Sequence, residues 1–297
     1  MSVRHWRWKY RLNADLSACL LAIDLERDAL AGFVGGVRVP FWHAEHDLSA
    51  VHTLDHMIDP SYRRGLGRAG VFSELISRWV GAQFGPGRAG LGFGFPSRAN
   101  FRVGERVARY RRLMPVTCLV HAGAWQGPCR DAGLEGTLRA ELPEDTDELW
   151  LRCRARYPMM VARTREYLRW RYEQHPDVDY AFAQVRRGGQ LLGLAVVRDG
   201  GVADDVVTLM DWLTPPGEPA LAAHLAEVCQ RFAQGERRGV LVAWPGQSSP
   251  HHAELRALGF EPWPGPWVVA GRVWDGRLSL ESVSRGLILT FGDMDFL

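Results

Sequence analysis

The four residues Arg7-Trp8-Lys9-Tyr10 return later in the chain as Arg169-Trp170-Arg171-Tyr172. The stretch downstream of each copy returns as well. After the first come an apolar run at 18–23, a charged turn at 24–28 and a second apolar run at 30–36. After the second come the run 180–185, the turn Arg186-Arg187-Gly188-Gly189 and the run 191–197. Trp8 and Gly32 lie twenty-four positions apart and Trp170 and Gly193 twenty-three, so the registers agree within one residue. A further landmark, RAGLGFGFP at 88–96, aligns with RRGVLVAWP at 237–245. A repeat of this size means two copies of one domain rather than a solenoid of short units. Each copy reads strand, turn, strand, strand, helix, strand, helix, which is a mixed α/β (α+β) order. The 297-residue length agrees with two domains. The expected division is 1–130, a linker at 131–147 and a second domain at 148–297. The linker falls in a stretch rich in Gly, Pro and acidic residues that begins near Cys118.

The chemistry concentrates in the first copy. Residues 51–58 (VHTLDHMI) have the length and apolarity of a strand, and Asp59-Pro60-Ser61-Tyr62 is turn chemistry. Then Arg63-Arg64-Gly65-Leu66-Gly67-Arg68-Ala69-Gly70 opens a segment whose apolar residues Val71, Phe72, Leu75, Ile76, Trp79 and Val80 have helical spacing. A glycine-rich loop at a helix N-terminus points free backbone N–H groups one way, and the helix dipole adds partial positive charge. Arg63, Arg64 and Arg68 add full charges, and glycine at 65 and 67 allows close backbone approach. The ligand this suits is a phosphate or pyrophosphate. The loop is not a GxxxxGK[ST] P-loop. Its literal GxGxxG lacks the acidic residue that a dinucleotide site places about 20 residues on. The same place in copy two, TPPGEPA at 214–220, has three prolines that remove donors, and a glutamate of the wrong sign.

Arg64-Gly65-Leu66-Gly67-Arg68-Ala69, preceded by Asp59-Pro60-x-Tyr62-Arg63, resembles the acyl-CoA pyrophosphate loop (R-x-x-G-x-[GA]) of the GNAT acetyltransferase superfamily. The W-[RK]-Y opening of each half, Gly94-Phe95-Pro96 and the terminal Gly292-Asp293-x-Asp295 look like the tandem GNAT proteins of bacteria. The resemblance covers most of the chain and is sharp only at the loop. It implies two domains, each a mixed, centrally splayed sheet flanked by helices. It implies an acyl-CoA cosubstrate, foremost acetyl-CoA, held by Ile58, Arg63, Arg64, Gly65, Leu66, Gly67, Arg68 and Ala69, with Asn100 on the pantetheine. The implied activity is direct acyl transfer to a small amine or amino sugar. The second copy, lacking the loop, is expected to be degenerate. One departure stands out: the domain's first helices have room at 148–168 in copy two, whereas seven residues precede Trp8. Either the first domain is truncated and the segment after Val273 completes it, or the start lies upstream.

Transfer to an amine needs a base for the ammonium proton and an acid for the thiolate. The strand at 51–58 offers His52, Asp55 and His56, and strict alternation would put the two histidines on one face and Asp55 on the other. His56 and Asp55 are the candidate bases, with Glu45 of the run His43-Ala44-Glu45-His46-Asp47 behind them. Tyr110, expected in a strand over 105–113, is the candidate acid. Each has a plainer reading: His56 and Asp55 as polar residues at a cleft rim, Glu45 as part of a solvated loop, and Tyr110 as a structural aromatic. The histidines at 43, 46, 52 and 56 lack metal-ligand spacing, so no metal is expected. Arg98, Arg102, Arg106, Arg109, Arg111 and Arg112 form a basic patch suited to the CoA 3′-phosphate, an anionic acceptor or plain solvation. A net charge of +2 argues for neither nucleic acid nor membrane. Five scattered cysteines suit a reducing cytoplasm. The expected partners are a small-molecule amine and, at most, a second copy of the chain. Two other functions fit the same features: a non-catalytic acyl-CoA sensor or assembly protein, and an acyltransferase whose donor is bound to a carrier protein or tRNA and docks on the arginine patch.

Overall fold

The computed structural model describes residues 2–11, 17–63, 70–123 and 133–294. In chain order the elements are α1 (Val3–Trp6), β1 (Ser17–Asp24), β2 (Ala29–Val39), β3 (Phe41–His43), β4 (Ala50–Ile58), α2 (Val71–Gln83), β5 (Leu91–Gly94), α3 (Arg98–Val107) and β6 (Arg111–Ala122). There follow β7 (Glu135–Arg139), α4 (Thr146–Cys153), β8 (Met159–Val161), α5 (Arg165–Leu168), β9 (Ala181–Arg187), β10 (Gln190–Asp199), β11 (Val207–Leu213) and α6 (Pro219–Gly235). Last come β12 (Val240–Ala243), α7 (Pro250–Ala257), β13 (Glu261–Val273), α8 (Leu280–Gly286) and β14 (Leu287–Ile288). Among the described residues no helix is long and apolar enough to cross a membrane.

The chain forms two compact units that are not contiguous in sequence. The first is Met1–Phe41, His46–Pro115 and Pro266–Arg285; the second is Trp42–Glu45, Val116–Gly265 and Gly286–Leu297. The division expected at 130 and 148 is linear, whereas the chain leaves the first unit within β6 and re-enters it within β13. The segment after Val273 does belong to the first unit as far as Arg285. The stretch read as linker carries β7, which pairs antiparallel with β9 in the second unit. Its Leu134 and Leu138 join that unit's core, which gives an acidic, glycine-rich segment a reason to order.

In the first unit the strands run β1-β2-β4-β5-β13, antiparallel except for β4 beside β5. The helical spacing read at 71–80 is α2, whose Leu75, Ile76 and Trp79 are buried against Val34 and Val51 of the sheet. Each such side chain contributes about 1.5–3 kcal/mol. In the second unit the order is β6-β12-β11-β10-β9-β7, with β11 and β12 parallel, and α6 buries Leu221, Leu225 and Val228 on it. The strand expected over 105–113 is divided. Ser97 caps α3, which runs on to Val107, Arg109 turns the chain in the left-handed region (φ 59), and β6 starts at Arg111. Gly104 permits that turn, because a Cβ there would lie 2.9 Å from the Tyr110 ring.

Candidate functional site

Parallel pairing of β4 with β5 covers three residue pairs, Ala50–Leu91, Val51–Gly92 and His52–Phe93. β5 then ends at Gly94, whereas β4 runs on to Ile58, paired on its other side with β2. Beyond His52 the two strands part, and the β5-side edge of β4 has no strand partner among the described residues. Thr53 ties down the last paired position by donating from its hydroxyl to the Phe93 carbonyl (3.1 Å). An unpaired backbone edge in a cleft is a ladder of donors and acceptors for an extended, amide-bearing ligand. The second unit repeats the arrangement, with pairs Val207–Leu241, Thr208–Val242 and Leu209–Ala243 and no more.

Just past the parting point β4 carries one extra residue. Gly35 faces Leu54 and Phe33 faces Met57, so two residues on β2 span three on β4. Asp55 takes up the excess in the left-handed region, φ 53, uncommon for a non-glycine residue. The bulge overturns the expected alternation. His52 stacks on Phe93 (5.2 Å) and meets Phe95 edge-on, while His56 packs against Trp79 (5.7 Å) on the α2 side. The two histidines therefore lie on opposite faces. Asp55 turns away from α2, where it accepts from Lys9 Nζ (2.9 Å) and Tyr10 Oη (2.7 Å). Tyr10 packs edge-on against Phe33 on that face, 5.6 Å between rings. Burial and then the nearby Asp55 charge push the Cys19 thiol up to about 11. Lys9 and Tyr10 of the Arg-Trp-Lys-Tyr motif thus brace the carboxylate at the bulge, a role not read from the sequence.

Its counterpart in the second unit has the same bond beside a bulge whose extra residue is Met210, just ahead of the aspartate. Val196 faces Asp211 and Val197 faces Leu209, and the Tyr172 hydroxyl donates to Asp211. There the surroundings are closed. Arg163, fully buried, donates to Asp211 (2.8 Å), to both carboxylate oxygens of Asp293 (2.9 and 2.8 Å) and to Thr290 Oγ1 (3.0 Å). Gly292 lies so close that an added Cβ would collide with the Tyr172 hydroxyl and the Asp211 carboxylate. Phe291 packs beside Trp244, which lies just beyond β12. So residues from both parted strands, β11 and β12, are met by the 290–293 segment. Arg156 occupies the carbonyls of Thr214 (2.7 Å) and Pro215 (3.1 Å) and pairs with Glu254 (2.5 Å), which also holds His251 (2.7 Å).

The other sequence-derived candidates fall as follows. Ile58 ends β4, and its carbonyl accepts from Arg63 Nε (2.9 Å). Arg64, Gly65, Leu66, Gly67, Arg68 and Ala69 lie outside the described residues. Asn100 sits in the first turn of α3, its backbone N–H bonded to the Ser97 hydroxyl (3.3 Å), its side chain exposed. Tyr110 is buried near Thr53, and burial pushes the phenol up to about 12. Glu45 is exposed and belongs to the second unit, its backbone N–H on His43 Nδ1 (3.1 Å). The structure therefore brings together Asp55, Lys9, Tyr10 and His52 on one face of the parted strands, sets His56 on the other, and groups Glu45 elsewhere. Among the described residues no group of three or more His, Cys, Asp or Glu could hold a metal ion.

No protein-family model and no curated protein sequence matches the chain. Solved structures do. A conserved Enterococcus faecalis protein of unknown function, designated a "probable N-acyltransferase", superposes with a TM-score of 0.62 at 12% identity, over 92% of this chain and 66% of its own. A GCN5-related N-acetyltransferase from Anabaena variabilis gives 0.61 at 12% identity, over 91% and 65%. The chain thus spans just under two thirds of the length of these two. A tandem GNAT protein from the clavulanic acid biosynthesis pathway gives 0.54 at 14% identity, over 88% of this chain and 84% of its own. The splayed, bulged strand pairs found twice along this chain are accordingly those of a GNAT fold, present in tandem.

Proposed function

We propose that the chain is an acyl-CoA-dependent N-acyltransferase, with acetyl-CoA as donor and a small amine or amino sugar as acceptor, working through its first unit. The observation that carries this reading is the parting of β4 from β5 after His52 and Phe93, with the Asp55 carboxylate at the bulge beyond it. The open β4 edge suits the amides of a pantetheine arm. The loop at 63–70 suits its pyrophosphate by sequence, with Ile58 and Arg63 ahead of it. Asp55 is the group we assign as base. Lys9 and Tyr10 hold its carboxylate in place, and the left-handed backbone turns it away from the α2 core. An amine deprotonated there attacks the thioester carbonyl, the C–S bond breaks, and the thiolate takes a proton, with no covalent enzyme intermediate. Tyr110, the sequence candidate for that acid, packs in the α2-side core and not on the Asp55 face, so we assign the thiolate's proton to solvent. A cytoplasmic setting is part of the reading and agrees with the free cysteines at 19, 118, 153 and 229.

Thiol release from acetyl-CoA, followed over a panel of amines and amino sugars, tests the reading. Amine-dependent release is expected, falling about 10²-fold or more in Asp55→Asn, the usual scale for losing a general base. Tight CoA binding with no amine-dependent release would instead identify an acyl-CoA sensor.

A further inference from the structure

Between Arg98 and Arg112 lie six arginines and one acid, Glu105, in a chain whose net charge is only +2. The helix α3 sets Arg98, Arg102 and Arg106 four residues apart, hence along one face, about 6 Å per step. All three are exposed, as are Arg109, Arg111 and Arg112. Among the described residues Glu105 forms an ion pair with Arg111 (3.5 Å), and none of Arg98, Arg102, Arg106, Arg109 or Arg112 forms one. A seventh guanidinium joins from β13. Arg272 donates to the Ala108 carbonyl (3.2 Å) and lies over the Trp274 ring (4.7 Å). Burial and the neighbouring Arg109 both hold Arg272 below its usual range. Adjacent cations without a carboxylate raise the free energy of the free protein, and an anionic partner relieves that repulsion.

The position of this face narrows the partner. Ala108 and Tyr110 pack in the same core as Trp79 of α2, so α3 covers the α2 side of the sheet, away from Asp55. α2 is the helix that the 63–70 loop leads into by sequence, so the arginines lie on that helix's face of the sheet rather than on the face of Asp55. Free CoA has phosphates enough for the loop and one or two further cations. The row on α3 is about 12 Å long and continues through Arg109 and Arg112. That length asks for a macromolecule. Phe101 and Tyr110 are half-buried and buried, and the Trp274 ring is stacked on Phe84 and covered by Arg272, so the face offers no platform for stacking bases. We infer that the arginine face of α3 docks a small acidic protein that carries its acyl group on a phosphopantetheine arm, as a donor in addition to free acyl-CoA. The inference rests on the acyltransferase reading of the cleft.

Two titrations separate docking from cleft binding. The first uses an acidic acyl carrier protein lacking its arm, followed by fluorescence anisotropy at rising salt. The second uses acetyl-CoA, followed by calorimetry. The wild-type chain is expected to bind the armless carrier, more weakly as salt rises. The triple variant Arg98→Glu/Arg102→Glu/Arg106→Glu should lose about tenfold or more, with acetyl-CoA affinity and Tm unchanged. The triple Arg→Gln variant, which adds no acidic charge, should lose less in the same direction. Equal carrier binding by wild type and both variants would overturn the inference. So would preference for a single-stranded RNA oligonucleotide over the carrier, or a parallel loss of acetyl-CoA affinity, which would assign the face to CoA itself. Absence of acetyl-CoA binding with carrier docking intact would overturn the acyltransferase reading and not the docking.

Discussion

Asp55 ties the backbone of the first unit to its chemistry. A non-glycine residue at φ 53 carries a conformational cost of order 1 kcal/mol, which the bonds from Lys9 and Tyr10 offset. Tyr10→Phe should therefore destabilise the protein by about 1.5–3 kcal/mol, the range for a hydrogen bond to a charged group, measured by urea unfolding. A change within error would mean that the bulge holds itself. Tyr172→Phe, at the buried counterpart, should cost at least as much. At this scale the sequence was half legible. The repeated Trp-x-Tyr motif and Asp55 were each visible. Their bond was not, because nothing local marks two residues 45 positions apart as partners, although Tyr172 and Asp211 offer the same pairing in the second copy.

Among the elements, the strands and helices of both copies lie where their apolar periods put them, and the errors arise where the period breaks. A bulge adds one residue and exchanges the faces beyond it, so His56 went to Trp79 and not to the side of His52. The strand expected at 105–113 failed because a capped helix outlasted its apolar pattern. The 290–293 segment bears one prediction. Its buried Arg163–Asp293 pair should cost about 3–5 kcal/mol to break in Asp293→Ala, the range for removing one partner of a buried pair, although Arg163 keeps its bond to Asp211. Urea unfolding followed by tryptophan emission, with Trp244 beside Phe291, would register it. His251 gives the pH dependence. Burial, opposed by Glu254, holds it below its ordinary 6.5. The unfolded chain then binds the extra proton, so His251 adds stability at neutral pH that is lost as pH falls below about 6.5. Stability measured from pH 7 down to 5 should fall, and His251→Gln should flatten that fall; an unaltered slope would assign it to other groups.

For the whole molecule, the repeat announced two copies of one fold, and the structural neighbours bear out a tandem GNAT fold. What the sequence did not disclose is the interleaving. Residues 266–285 complete the first unit and the residues from 286 on the second, and such allegiance is settled by which surface lacks a cover, not by local pattern. The loop that drew the reading toward acyl-CoA, residues 64–69, lies outside the described residues, so its role rests on its composition and on the strand and helix flanking it. The second unit has no comparable loop, and the 290–293 segment and Arg156 fill the ground beside its parted strands. The expected stoichiometry is therefore one acyl-CoA per chain. Calorimetric titration of the wild type and Gly67→Val with CoA decides the matter. The account predicts one equivalent per chain, and an affinity about 100-fold weaker in Gly67→Val, the scale of losing two hydrogen bonds to a charged ligand. Two equivalents per chain, or unchanged affinity in the variant, would contradict it.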